Sequence, residues 1–117
     1  MDPQIRAALS HVINMVMGEL NAAVIKHPFW PVEEVRRAAI VAEEAGELLQ
    51  SALNLAEFRD QAPPMQTGTE FSARLTREYQ LRIVMQKEAA QTAAMAIRYL
   101  LNHSNEAIVM NTDASQN

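Results

Sequence analysis

Three glutamates and a glutamine stand at spacings that could bind a divalent cation. Glu44 and Glu47 are three residues apart, and Glu88 and Gln91 repeat that spacing later in the chain. On a helix, residues three apart share a face within one turn. If the two faces meet, three carboxylates and an amide oxygen converge, with Glu43 beside them. A hard cation such as Mg²⁺ commonly offsets the repulsion within such an oxygen-rich cluster.

A solvated acidic face on a surface helix is the alternative for these glutamates, because glutamate usually lies exposed. Two features favour a site instead. Small or apolar residues flank Glu43 and Glu44, and alanines surround Glu88. No Lys or Arg stands four residues after Glu43, Glu44 or Glu47 to form a helical ion pair. Carboxylates embedded in such a surface are unfavourable unless they are paired or coordinated.

A di-iron site in a helical bundle is a second metal chemistry that the carboxylates could serve. Such sites use Glu-x-x-His pairs. The histidines are His11, His27 and His103, and none has a glutamate three residues before it. The donor set is therefore all oxygen, which favours Mg²⁺ or Mn²⁺ over iron.

Composition limits the remaining classes of function. The chain has 117 residues, of which 49% are hydrophobic and 5% aromatic, and three are glycine. This balance favours one helical domain. The absence of Cys excludes disulfides, thiolate metal sites and cysteine nucleophiles. The net charge of −4 argues against an extended nucleic-acid surface.

The N-terminal sequence favours a cytoplasmic location. Residues 1–6 lack the basic-then-apolar layout of a secretory signal. No apolar run is expected to be long enough to cross a bilayer. We therefore expect no membrane partner.

Three helices must position the candidate site. Asp2 and Pro3 suit the start of the first, whose apolar positions recur every three or four residues until about Lys26. Prolines and aromatics in the stretch 27–31 then predict a turn.

The second and third helices carry the glutamates. The second is predicted over 32–58, with Pro31 opening it. The third is predicted over 70–101, with Thr69 as its cap, and a break near Gln86 stays open.

Alanine-rich stripes on these helices predict close packing around a thin core. Gly46 is less favourable in a helix than Ala by about 1 kcal/mol, which predicts that another element passes close to its backbone. Because a three-helix monomer of this kind buries little, we expect a homodimer or homotetramer. The expected architecture is a small all-α bundle over 1–106, with a disordered polar tail over 107–117.

Three stretches of the sequence also resemble a known family. They are Lys26-His27-Pro28-Phe29-Trp30-Pro31 followed by Ala42-Glu43-Glu44-Ala45-Gly46-Glu47-Leu48, and Lys87-Glu88-Ala89-Ala90-Gln91-Thr92-Ala93-Ala94-Met95-Ala96-Ile97-Arg98. They resemble the EExxE…ExxD pattern of the MazG-like all-α nucleotide pyrophosphohydrolases, over roughly residues 20–101.

The resemblance implies Mg²⁺-dependent hydrolysis of a nucleoside triphosphate to a monophosphate and pyrophosphate. By position, Glu44, Glu47, Glu88 and Gln91 would be metal ligands, and Mn²⁺ could replace Mg²⁺. Glu43 would be a further ligand or the base that orients water.

Position 91 departs from the family pattern, which has aspartate there. The amide of Gln91 can coordinate Mg²⁺ but brings no charge, so Gln91→Asp is expected to tighten Mg²⁺ binding. The departure leaves a rival function open, namely a catalytically weak or inactive helical protein that binds a nucleotide or a protein partner.

Four residues are candidates for binding the substrate, and three of them also have a structural alternative. Trp30 could stack on a base or plug the end of the bundle. Lys26 and Arg98 could contact phosphate, although a solvated helix face also accounts for Arg98. Asn54 could recognise a base edge or satisfy a backbone carbonyl.

Overall fold

The computed structural model describes residues 1–116, with side chains described for residues 1–102. Its three helices are α1 (Pro3–Lys26), α2 (Glu34–Gln61) and α3 (Gly68–Gln116). Within the described residues no strand occurs, so the all-α prediction is confirmed. The domain boundary expected at 106 and the tail expected over 107–117 lie outside the residues with described side chains, and they stay predictions.

Helix α1 begins and ends as the sequence predicts. The Asp2 Oδ1 atom accepts a hydrogen bond from the Gln4 backbone N–H at 2.7 Å, and Pro3 occupies the first helical position. At the other end, the His27 N–H donates to the Ala23 carbonyl at 2.8 Å. The Asp2 cap pairs the Gln4 N–H, a backbone donor that the first turn of a helix otherwise leaves without a partner.

Helix α2 begins later than expected, and the prediction that Pro31 opens it is wrong. The first helical residue is Glu34, and Glu33 before it is extended, with φ −72° and ψ 128°. Trp30 is partly buried against the core, and the residues between it and Glu34 are not helical. The helix ends at Gln61, because Ala62 precedes a proline and takes the extended conformation that this position favours.

Helix α3 is capped by Thr67, so the prediction of Thr69 is wrong. The Thr67 Oγ1 atom accepts from the Glu70 N–H at 3.1 Å, and Glu70 Oε2 accepts from the Thr67 N–H at 3.3 Å. This reciprocal pair is a capping box, which the Thr-x-x-Glu spacing favours. The helix passes through Gln86 without a break.

The core lies where α1 and α2 both pack against α3. Leu20 of α1 is buried with Ala94 and Met95 of α3. The partly buried side chains around them are Val16, Ala23, Trp30, Ile40, Val41 and Ile97. The thin core that the alanine-rich stripes predict is therefore present, at the end of the bundle where the glutamates lie.

Helix α1 leaves most of its apolar side chains uncovered. Leu20 is its one buried residue, whereas Ile5 is 59% exposed and Val12 is 49% exposed. By length and composition α1 is also apolar enough to cross a membrane, so the expectation that no apolar run reaches that length is wrong. One such helix near the N-terminus is weak evidence for a membrane, and the cytoplasmic location stays a prediction.

No neighbouring element in the described part of the chain lies close to the backbone at Gly46. Apart from its chain neighbours and the nearby backbone of α2 itself, a Cβ atom built there meets no atom within 4 Å. The predicted close approach to its backbone is therefore wrong for the single chain.

Candidate metal centre

Three of the predicted ligands converge where α2 packs against α3. Glu44 and Glu47 lie one turn apart on α2, and Glu88 faces them from α3. One carboxylate oxygen of each lies within 4.8 Å of the others. The two motif faces therefore meet, as their spacing predicts for neighbouring helices.

Burial and mutual repulsion favour protonation of two of these carboxyl groups. Burial is the largest cause that raises the pKa of Glu44 above the ordinary 4.5, followed by the charges of Glu47 and Glu88. The pKa of Glu88 is raised by burial first and by Glu47 second. In the part of the chain with described side chains, no Lys or Arg forms a salt bridge with the three glutamates.

The donor set fits a hard divalent cation. The Oε2 atoms of Glu44 and Glu88 are buried and accept no hydrogen bond from any residue with a described side chain. A buried acceptor without a partner costs free energy, which a cation would recover by coordinating it. Three carboxylates within coordination reach of one point suit Mg²⁺ or Mn²⁺.

A cavity of about 570 Å³ opens beside the cluster. It includes six residues for which the sequence predicts a role: Lys26, Trp30, Glu43, Glu44, Gln91 and Arg98. Much of the remaining wall is apolar, from Ala22, Ala23, Phe29, Pro31, Ile40 and Met95. Glu43 is exposed and lies on this wall, where its charge adds slightly to the raised pKa of Glu44.

Arg98 ties the turn after α1 to α3. Its guanidinium lies 4.5 Å from the centroid of the Trp30 ring, and its Nη2 atom donates to the His27 carbonyl at 2.6 Å. Arg98 is 6% exposed, so a solvated helix face does not describe it. One face of the Trp30 ring is therefore covered by the guanidinium, and the indole N–H is buried without an acceptor among the described residues.

Of the four predicted substrate-binding residues, Asn54 is the one that does not line the cavity. Its Oδ1 atom accepts a hydrogen bond from Gln50 Nε2 at 2.9 Å on the exposed surface of α2. Asn54 follows Glu47 by seven residues, which places it about 10 Å further along the helix axis. That displacement separates it from the cavity, and it has no contact that supports a role in binding substrate.

Glu19 is a cavity residue that the sequence reasoning missed. It lies on α1, is half-buried, and its Oε2 atom accepts a hydrogen bond from Gln91 Nε2 at 3.3 Å. Its charge also contributes to the raised pKa of Glu88. A signal was present, since Glu19 is the one acidic residue in the sequence of α1.

The comparisons with known proteins add no family to this geometry. No protein-family model, curated protein or solved structure matches the chain. Membership of the MazG-like family is therefore a proposal that rests on the motif residues and on the site they form.

Proposed function

We propose that the protein is a Mg²⁺-dependent nucleoside triphosphate pyrophosphohydrolase of the MazG-like type, which releases pyrophosphate and a nucleoside monophosphate. The convergence of Glu44, Glu47 and Glu88 within 4.8 Å is the observation that supports this proposal most directly. The adjoining cavity of about 570 Å³ lies within the range of small-molecule sites, about 300–1,000 Å³.

Glu44, Glu47 and Glu88 would hold the cation, with Gln91 as a neutral oxygen donor. The charged ligands would then come from both of the facing helices, two from α2 and one from α3. Bound Mg²⁺ would neutralise the charge of the phosphate oxygens and lower the pKa of the attacking water. The all-oxygen donor set allows Mn²⁺ as a substitute.

The remaining cavity residues would position the nucleotide and water. Glu43 is an exposed carboxylate on the same wall as Glu44, which suits a group that orients or deprotonates water. Lys26 is the exposed cation at the rim and is suited to phosphate. Trp30 and its apolar neighbours form the wall against which a base would rest, while Arg98 holds Trp30 in place.

The test is release of pyrophosphate from a panel of NTPs and dNTPs, with Mg²⁺ or Mn²⁺. We expect Glu44→Ala to reduce release to background, because it removes a charged ligand. Glu57→Ala is the matched control, since Glu57 is an exposed glutamate on the same helix outside the cavity. It should leave release unchanged.

The rival function gives a different result in the same experiment. A protein that binds nucleotide but releases no pyrophosphate above the Glu44→Ala background would not be this enzyme. Gln91 in place of the family's aspartate favours that rival, and such a result would indicate a helical nucleotide-binding protein instead.

A further inference from the structure

Glu19 lies in an unusual setting for a carboxylate. It projects from an otherwise apolar helix, is half-buried, and lines the same cavity as Glu43 and Glu44. In the residues with described side chains, no Lys or Arg forms a salt bridge with it. Its one hydrogen-bond partner there is Gln91 Nε2, 3.3 Å from its Oε2 atom.

This contact decides which end of the Gln91 amide faces α1. A carboxylate only accepts hydrogen bonds, so Glu19 holds the amide nitrogen and leaves Oε1 as the free acceptor. No donor among the described residues reaches that oxygen. Gln91 lies one turn after Glu88 on α3, so an oriented amide oxygen is suited to act beside the Glu88 carboxylate.

The same contact explains why position 91 carries an amide. An aspartate there would bring a second carboxylate close to Glu19, and neither could donate a hydrogen bond while ionised. Glutamine removes that repulsion and keeps an oxygen donor. The negative charge that the MazG-like pattern has at position 91 is thus present nearby on α1, at Glu19.

We propose that Glu19 is a positioning residue of the metal centre, which orients the amide of Gln91 and supplies from α1 the negative charge that Gln91 lacks. The inference rests on the proposed metal-dependent function. Partners that orient a metal ligand in this way commonly change metal affinity by about 10–100-fold. The charge of Glu19 then compensates for the neutral amide of Gln91. Gln91→Asp by itself should therefore weaken metal binding, contrary to the expectation from the family pattern.

A double-mutant cycle tests the pair, using Mn²⁺ binding measured by electron paramagnetic resonance. The variants are Glu19→Gln, Gln91→Asp and the combination of both. We expect each single change to weaken Mn²⁺ binding about tenfold or more. The double variant should return to within a few-fold of wild type, because it exchanges the amide and the carboxylate between the helices. Glu57→Gln controls for the loss of one charge at an exposed position on α2.

Thermal unfolding in the presence of a chelator provides a readout that needs neither metal nor turnover. Gln91→Asp should lower the Tm by several degrees through repulsion from Glu19, and the double variant should recover it. The proposal would be overturned if Gln91→Asp tightened Mn²⁺ binding equally in the wild type and in the Glu19→Gln variant, and left the Tm unchanged in both.

The outcomes separate this inference from the proposed function. If the wild type binds Mn²⁺ and releases pyrophosphate, but substitutions at positions 19 and 91 act additively, only the proposed role of Glu19 is refuted and the enzyme function stands. A wild-type protein with no pyrophosphate release, whose Mn²⁺ binding and Tm still show the coupling, refutes the enzyme and supports the pair.

Discussion

The charge state of the site is decided by Glu44 and Glu88. Their pKa values lie above the ordinary 4.5, first because they are buried and then because Glu47 repels their charged forms. The folded protein therefore binds protons at these groups more tightly than the unfolded chain does. The stabilisation from that protonation is fully present below the ordinary pKa and is lost as the pH rises through the raised values.

Glu88→Gln should consequently stabilise the metal-free protein at pH 7. The amide removes one charge from the cluster, so in the presence of a chelator we expect the Tm to rise by a few degrees above wild type. The difference should shrink as the pH falls through the raised pKa values of the wild-type carboxyl groups, because protonation then removes the repulsion. Circular dichroism melts across this pH range provide the measurement.

With Mg²⁺ in place of the chelator, the wild type should have a higher Tm than Glu88→Gln. The cation stabilises the folded wild type by binding to it, whereas the variant lacks a charged ligand and should respond little. Glu57→Gln is the control for an exposed position. A lower Tm for Glu88→Gln with chelator at pH 7 would mean that this carboxylate has a structural partner, and the cation assignment would lose its basis.

Among the elements, α2 carries two of the proposed metal ligands and, between them, Gly46, at a position where the isolated chain has room for a larger side chain. A Cβ at Gly46 meets open space, as does one at Gly18 in α1. Neither residue has a positive φ, so both sit in ordinary helical backbone. Glycine in such a place leaves the helix less stable than alanine does.

Gly46→Ala should therefore stabilise the protein by about 1 kcal/mol, with Gly18→Ala as the matched substitution in α1. Denaturant unfolding measures the change. Mn²⁺ affinity should be unaffected, because the added methyl group meets no neighbouring element. If Gly46→Ala destabilises the protein while Gly18→Ala does not, a second chain packs against the backbone at Gly46.

At the scale of the whole molecule, the single chain covers few of its apolar side chains. Among residues 1–102, whose side chains are described, the buried hydrophobic residues are Leu20, Leu55, Ala90, Ala94 and Met95. Large apolar side chains stay exposed on all three helices, for example Ile13 at 49%, Leu49 at 61% and Leu75 at 51%. Extended exposure of this kind is typical of surfaces that meet a partner.

We expect a homodimer or homotetramer in which the exposed face of α1 is covered. Val12→Glu should shift the assembly towards monomer in light scattering, because it places a charge in that face. Asn14→Glu is the control, since residues 12 and 14 point to opposite sides of the helix. The Tm of the wild type should rise with protein concentration.

A protein that stays monomeric at every concentration would contradict this prediction. If such a monomer also sediments with phospholipid vesicles, the exposed face of α1 is covered by lipid instead. The length and composition of α1 make that second measurement worthwhile.

The sequence by itself determined the helical class, the start and end of α1 and the pairing of Glu44 with Glu47. These features depend on neighbours within about one helical turn, namely apolar periodicity, the cap at Asp2 and the proline turn. Thr67 could also have been recognised as a cap, since the Glu at position 70 completes a capping box.

Only the tertiary structure decided which distant side chains share the cavity. Glu19 and Gln91 are 72 residues apart, and their contact depends on how α1 lies across α3. The burial of Arg98 and the open space at Gly46 depend on the same packing. Periodicity identifies the face that a helix buries, but it does not specify the rotation and offset of one helix on another, and these set every contact between them.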